Sequence, residues 1–336
     1  MKLDDKERLA YRVGALLYTP AFHAGIAEKM KNRSFPYLTS MAFCLEDSIC
    51  DEALGKAEEE LRKTLFAISE SIIEQLPLLF VRIRTPEHLT HVHQFLGEAA
   101  KILTGYILPK FDPSNAYAYA ETVEKLNRDA RRPIYVMPIL ESRPLADIET
   151  RTAALRSIRE VLDGIHKYVL NVRVGGNDFS NLYGLRRGVH QNIYQIGVIR
   201  DILMDIINVF AADYVVSGPV WEYFGDDPSA PWADGLRAEL ALDQLNGFTG
   251  KTAIHPCQLP VIYESMQVSQ ADYDDAMNIL GWKPVISGVA KSADGSRMNE
   301  VKCHRKWARR IAALAEAYGI RDEQMKTENA GSTQRI

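Results

Sequence analysis

Cysteine is scarce and scattered. The four present, Cys44, Cys50, Cys257 and Cys303, form no Cys-x-x-Cys pair. Neither a disulfide framework nor a structural zinc site is expected, and a reducing compartment is the natural reading. Long hydrophobic runs are missing too: none approaches the length of a membrane span. The opening residues, Met1-Lys2-Leu3-Asp4-Asp5-Lys6-Glu7, are charged and lack the apolar centre of a secretory signal. Nor is there an excess of charge of one sign. The formal net charge is −4 over 336 residues, with acids and bases interspersed. That predicts no nucleic-acid footprint and no membrane-surface patch. No internal repeat or low-complexity segment interrupts the chain. These absences predict a cytoplasmic protein whose partner is a small molecule, with no nucleic acid and no membrane.

What is present is the composition of a soluble enzyme with a large core: 46% hydrophobic and 25% charged residues. Apolar runs of strand length alternate with longer helical patterns, which predicts parallel βαβ units. The candidate strands are 13–19, 38–46, 78–84, 105–110, 134–141, 168–174, 214–218 and 252–255. Eight such strands close an α/β TIM (β/α)8 barrel, whose active site sits at the C-terminal strand ends. Helical stretches fall at 52–74, 86–103, 115–131, 145–162, 192–210 and 233–245. In the first of them Ala53, Ala57, Leu61, Leu65 and Ile68 recur every three or four residues, with Glu58, Glu59 and Lys63 on another face.

The predicted division is a catalytic barrel over 1–271, a lid or oligomerisation extension over 272–325 and a disordered tail over 326–336. Within the extension, 272–280 reads as a helix and the Gly/Ser-rich stretch 285–295 as a mobile hairpin. A basic amphipathic helix follows over 300–318. The extension is too short to build a core of its own.

Polar residues close the strands. Glu141 and Asp178 end the fifth and sixth, which makes them neighbours at the barrel mouth. Two carboxylates with few bases nearby suit Mg2+, which takes one or two carboxylates and keeps positions for water and substrate oxygens. Such an ion holds a 2-oxo or 2-hydroxy acid and stabilises the enolate formed when a carbon–carbon bond breaks. Either acid could instead cap the following helix. For Asp178, after Gly175-Gly176-Asn177, metal binding is favoured; for Glu141 the two readings balance.

Arg82 ends the third strand. Its fork of donors can grip a substrate carboxylate or pair with Glu46 or Asp47, and the two roles can coexist. Arg84 is a second substrate-binding candidate if the strand continues, and a loop residue if it does not. Lys110 is a catalytic candidate, either as a desolvated Schiff-base lysine or, preferably, as a charge partner. Glu46 and Asp47 are adjacent, so in a regular strand they face opposite ways. One enters the mouth as general base or as acceptor for a metal-bound water, and the other caps the helix near residue 52.

His255, before Pro256, could act as acid or base at the substrate, but a structural donor is favoured. The run His88-Leu89-Thr90-His91-Val92-His93 falls on the outer helix after the third strand, and a solvated face is expected there. Gly175-Gly176 lacks the context of a dinucleotide fingerprint. Small residues there let the backbone approach metal or substrate, with Gly176 the substrate-side candidate.

In this order the motifs resemble the HpcH/HpaI aldolase/citrate lyase β-subunit family. The likeness rests on Leu45-Glu46-Asp47-Ser48, Val81-Arg82, Leu108-Pro109-Lys110, Leu140-Glu141-Ser142 and Gly176-Asn177-Asp178. Most specific is Gly250-Lys251-Thr252-Ala253-Ile254-His255-Pro256-Cys257-Gln258. The turn at 288–291 and the helix after it resemble the family's C-terminal lid.

The resemblance implies a Mg2+-dependent lyase or aldolase, with Glu141 and Asp178 as metal ligands and Arg82 as carboxylate clamp. Glu46 or Asp47 would be the acid/base near the methyl or enolate carbon. It also implies a carboxylic acid substrate, often as a CoA thioester, and a homo-oligomer, a trimer or hexamer. The chain departs from the family at Thr19-Pro20-Ala21-Phe22-His23, at Arg84, and in the loops 179–187 and 221–227. These departures resemble a divergent branch, the TIM-barrel C–C bond lyases encoded beside tellurium-resistance genes. The first expectation is therefore a Mg2+-dependent C–C lyase. A thioester hydrolase or synthase on the same scaffold is the second, and a non-catalytic subunit of a biosynthetic complex the third.

Overall fold

The computed structural model describes residues 4–282, 288–292 and 295–321. They fall into two compact units, one spanning 13–262 and the other made of 4–12 and 263–321. Among the described residues no helix is long and apolar enough to cross a membrane, and all four cysteines are free.

The first unit is built on eight strands: β1 (Ala15–Pro20), β2 (Ser40–Cys44), β3 (Leu78–Arg82), β4 (Gly105–Leu108), β5 (Tyr135–Leu140), β6 (Val172–Val174), β7 (Val216–Ser217) and β8 (Lys251–Ala253). They pair in parallel in the order β7-β6-β5-β4-β3-β2-β1-β8. A bridge between Gly218 and Lys251 joins the two ends. The Thr249 N–H donates to the Val216 carbonyl at 2.7 Å, and the Gly218 N–H to the Gly250 carbonyl at 2.9 Å. The result is the expected eight-stranded parallel barrel with flanking helices. β2, β3, β4 and β5 are buried throughout, because barrel interior and helical ring cover both faces of each strand. That is why their sequences read as unbroken apolar runs.

The strands are shorter than the apolar runs that announce them. Before β6, His166–Tyr168 winds into a 3-10 turn and Val169 makes only an isolated bridge to Val136. The predicted helix over 145–162 is two helices, Arg143–Ala146 and Arg151–Gly164. The helix Leu54–Glu70 buries Ala57, Leu61, Leu65 and Ile68 as its periodicity predicts. It also buries Glu58, which the pattern places on the polar face.

The second unit combines the helices Asp5–Arg12, Gln270–Gly281 and Val301–Tyr318 with an antiparallel hairpin of Val289–Lys291 and Met298–Glu300. Met266, Val268, Leu314 and Tyr318 form one small core, against which Tyr11 and Ile311 pack. Ala276, Ile279 and Ala308 form another. The C-terminal segment gains this core by recruiting the first helix: Tyr318 donates to the Tyr11 carbonyl at 2.8 Å, and Arg309 pairs with Glu7 at 2.8 Å. Part of the expected hairpin stretch, 285–287 and 293–294, lies outside the described residues, as does the whole tail from 326.

Candidate active site

Two acids meet at one glycine. A Cβ on Gly175 would stand 2.2 Å from Glu141 Oε2 and 3.1 Å from Asp178 Oδ2. No side chain fits there, so both carboxylates flank the same backbone carbon. β5 delivers Glu141 one residue beyond its end, and Asp178 lies in the first turn of the helix Gly176–Leu182. Adjacent strands in a barrel bring such positions together. Among the described residues no group of three or more His, Cys, Asp or Glu is arranged to hold a metal. A pair of carboxylates is nonetheless the protein share that Mg2+ takes, with water and substrate completing its shell. Glu141 and Asp178 fit that ion.

Around them a charge cluster has formed. Arg82 Nη2 lies 2.8 Å from Glu46 Oε2, 3.2 Å from Asp47 Oδ2 and 3.4 Å from Glu141 Oε1. Lys110 Nζ lies 2.6 Å from Glu46 Oε1 and 3.2 Å from Asp47 Oδ1. The Lys110 backbone N–H donates to Glu141 Oε1 at 2.9 Å. The expectation that Glu46 and Asp47 face opposite ways is corrected here. β2 stops at Cys44, so both acids lie in the turn beyond the ladder, where strand alternation no longer applies, and both face Arg82 and Lys110. Neither caps the next helix, whose N-cap is Ala53.

The field of this cluster sorts its acids. Burial pushes Glu141 up to about 8; Arg82 opposes the shift, while Asp178 and Glu46 reinforce it. Burial also raises Glu46, against the pull of Arg82 and Lys110. Partial burial works upward on Asp47 as well, but Glu46, Arg82 and Lys110 outweigh it and hold Asp47 below its ordinary value. For Lys110 partial burial disfavours the charge, yet hydrogen bonds and the fields of Glu46 and Asp47 raise its pKa. Lys110 is therefore an ammonium and a charge partner, which is the reverse of what a Schiff-base lysine needs.

Other expected site residues lie elsewhere. Arg84 has left the strand: its Nε donates to the Leu45 carbonyl at 2.8 Å and its Nη2 to the Ile49 carbonyl at 2.5 Å, and it pairs with Asp51. It fastens the turn that carries Glu46 and Asp47 and does not join the cluster. His255 accepts from the Cys257 N–H at 3.3 Å and stacks on Phe224 with ring centroids 4.6 Å apart. Its contacts are structural, and none reaches Arg82. Gly176 packs inward: a Cβ there would meet Ile193 and Pro219 at 2.7 Å each. The close approach to the acids belongs to Gly175.

Of the histidine run, expected on a solvated face, His91 is exposed while His88 and His93 are partly buried. His88 Nε2 lies 2.8 Å from Glu58 Oε1, and His91 Nε2 lies 3.2 Å from Glu58 Oε2. The His88 Nδ1 accepts from the Arg84 N–H at 3.0 Å. Glu58 is buried because the helix Pro86–Leu96 meets the helix Leu54–Glu70 there. His93 bonds the Tyr106 hydroxyl at 2.8 Å.

Sequence reasoning missed a second buried network. Lys251 Nζ contacts Glu239 Oε1 at 3.0 Å, Asp243 Oδ2 at 2.8 Å and the Pro219 carbonyl at 2.6 Å. Glu239 Oε2 accepts the Ile193 N–H at 2.8 Å, and Arg187 pairs with the same carboxylate at 3.3 Å. Gln258 ties the Trp221 and Tyr223 carbonyls to the Ile254 N–H. The motif over 250–258 thus builds the wall behind the site, since it fixes the Pro219 and Ile193 that Gly176 touches. A signal for it was present: Glu239 and Asp243 occupy the stripe of Trp232, Leu236 and Leu240 that the helix Pro231–Leu245 buries.

A family model described as C–C bond lyase of the TIM-barrel fold matches residues 7–320. No curated protein matches the sequence. Among solved structures, a citrate lyase from Burkholderia xenovorans LB400 is similar with TM-score 0.67 at 16% identity, covering 93% of this chain and 94% of that one. The CitE protein of Mycobacterium tuberculosis, in complex with magnesium, acetoacetate and coenzyme A, gives TM-score 0.56 at 18% identity over 91% of this chain and 99% of that one. The citrate lyase β subunit of M. tuberculosis, with oxaloacetate and magnesium, gives 0.51 at 19% identity over 76% and 98%. At such identities these likenesses speak for the fold. With the family model spanning nearly the whole chain, the protein belongs to the C–C bond lyases of the TIM-barrel fold.

Proposed function

We propose that Glu141 and Asp178 hold Mg2+ and that the site cleaves a carbon–carbon bond in a 2-oxo or 2-hydroxy acid or its thioester. The observation that carries this reading is the meeting of the two carboxylates at Gly175, with Glu141 buried and pushed up to about 8. Burial beside a second acid outweighs the guanidinium already in contact with Glu141, so the pair is unfavourable until a further cation arrives. Similar structures hold magnesium with oxaloacetate, or with acetoacetate and coenzyme A, which supports the substrate class. The loop departures at 19–23, 84, 179–187 and 221–227 support the tellurium-resistance-associated branch as the relevant one.

Mg2+, when bound, supplies positive charge for the enolate oxygen that develops on cleavage. The other roles fall to side chains of the chain. Glu46 is the proton carrier: it is buried, its pKa is raised, and Lys110 and Arg82 hold it in place. Asp47, more than half exposed at 54% and held ionised, supports Lys110 and Arg82. Arg82 binds a substrate carboxylate through its Nη groups; its Nε is buried and makes no hydrogen bond among the described residues. A bidentate grip needs its contacts with Glu46 and Asp47 to yield.

Isothermal titration of Mg2+ into wild type and Asp178→Ala tests the metal site. Binding should be lost in the variant; equal binding would sink the assignment. Product analysis by NMR on a panel of 2-oxo acids and thioesters, with and without Mg2+, tests the reaction.

A further inference from the structure

The barrel lumen contains a cation that the acid cluster does not neutralise. Arg173 stands in the middle of β6 and is 2% exposed. Lys251 in β8 turns outward to the helix Pro231–Leu245, so its neighbour Thr252 turns inward. The Arg173 Nη2 donates to Thr252 Oγ1 at 2.7 Å, which places the guanidinium inside the barrel. Its other partner is the Tyr18 hydroxyl.

Among the described residues, no carboxylate forms an ion pair with Arg173; those at the mouth pair with Arg82 and Lys110. Arg173 Nη1 makes no hydrogen bond among the described residues, and the same is true of Ser217 Oγ and of both Asn171 Nδ2 and Oδ1. Asn171 precedes Arg173 by two residues, and Ser217 is its register partner in β7. All three therefore stand on the same inner face. Asn171 and Ser217 are each 1% exposed. Three buried side chains that carry unpartnered donors stand on that face, one of them charged. Water would satisfy the hydrogen bonds but not the charge, and a buried ion without a counter-charge is strongly unfavourable. Tyr18 and Thr252, the two partners of the guanidinium, are themselves only half-buried.

We propose that Arg173, Asn171 and Ser217 form a second binding site, for a small anion, inside the barrel and separate from the Glu141–Asp178 pair. The chemistry fits a halide or a carboxylate. If a carboxylate occupies it, the substrate carries an anionic group remote from the metal, and Arg173 selects for that group.

Two arms test this on the whole protein. Wild-type crystals soaked in sodium bromide should show anomalous density within hydrogen-bond distance of Arg173. Titration of oxaloacetate and pyruvate in chloride-free buffer with Mg2+ distinguishes the sources. A substrate carboxylate predicts a preference of about tenfold or more for oxaloacetate, the loss expected for one charged hydrogen-bonded contact. That preference should vanish in Arg173→Met, and oxaloacetate should displace the bromide. A halide site predicts bromide density that persists with oxaloacetate bound, and no preference that Arg173→Met removes. No bromide at Arg173 together with no oxaloacetate preference that depends on Arg173 overturns the proposal. Ser217→Ala, a milder change, should weaken whichever signal is found if Arg173→Met does not fold. Asp178→Ala keeps the bromide density even where Mg2+ binding is lost, so the fate of the metal assignment leaves this one independent.

Discussion

Lys251 Nζ and Glu239 Oε1 lie 3.0 Å apart, and neither side chain exposes any surface. Removing one partner of such a pair strands the other charge in the interior, which costs about 3–5 kcal/mol. Lys251→Met strands Asp243 and leaves Arg187 as the one cation on Glu239 among the described residues. Urea unfolding should therefore show a stability loss of that order. A midpoint equal to wild type would mean that the network is not what holds this wall.

Gly175 leaves no room for a methyl group. In Gly175→Ala the new Cβ would stand 2.2 Å from Glu141 Oε2 and 2.4 Å from Glu141 Cβ. The backbone itself tolerates alanine, with φ at −95°. The variant should fold and bind Mg2+ about 10–100-fold more weakly, the range seen when support of a metal ligand is disturbed. Calorimetric titration reads this directly, and full affinity would separate Gly175 from the metal site.

Proton and metal compete for Glu141. Its folded-state pKa of about 8 lies above the ordinary 4.5. The folded state thus binds an extra proton between those values. The stability this provides is present at low pH and lost as pH rises toward 8, with a slope of up to about 1.4 kcal/mol per pH unit. Mg2+ affinity should run the opposite way, rising by up to about tenfold per unit over the same window. Thermal melts and Mg2+ titrations across that range check both slopes, and Glu141→Gln should flatten the first.

Glu46 and Asp47 should not be equivalent. If Glu46 carries the proton, Glu46→Gln lowers turnover by about 10²–10⁴-fold, the usual share of general acid–base catalysis. Asp47→Asn, at an exposed and ionised position, should lose far less and chiefly perturb Lys110. Turnover on the best substrate from the panel decides. Equal losses would make the two acids one functional unit.

Much of the barrel is legible in the sequence because parallel strands buried on both faces leave apolar runs, as in Leu78-Leu79-Phe80-Val81, and because each run ends in a polar residue. The positions of Glu141, Asp178, Arg82 and Lys110 follow from that. What pattern alone misses is where each ladder stops. Glu46, Asp47 and Arg84 all lie two or three residues past a strand end, where the turn decides direction. Arg173, Lys251 and Glu239 escaped notice for a different reason: charged residues inside strands and helices read as surface until their partners, distant in sequence, are known. Glu58 is the same case between two outer helices.

Lys110 holds the two halves of the acid cluster at a set distance. Its N–H is on Glu141 and its ammonium is on Glu46, so one residue works as a caliper whose span is a single lysine side chain. The jaw is set by a left-handed backbone, with φ at 48°, a conformation that glycine adopts without strain. Charge and geometry are therefore separable at this residue. Glycine in its place would leave the grip on Glu141 intact and delete only the ammonium. Alanine would delete the ammonium and keep the strain, so the difference between the two variants isolates the backbone's share in spacing the acids.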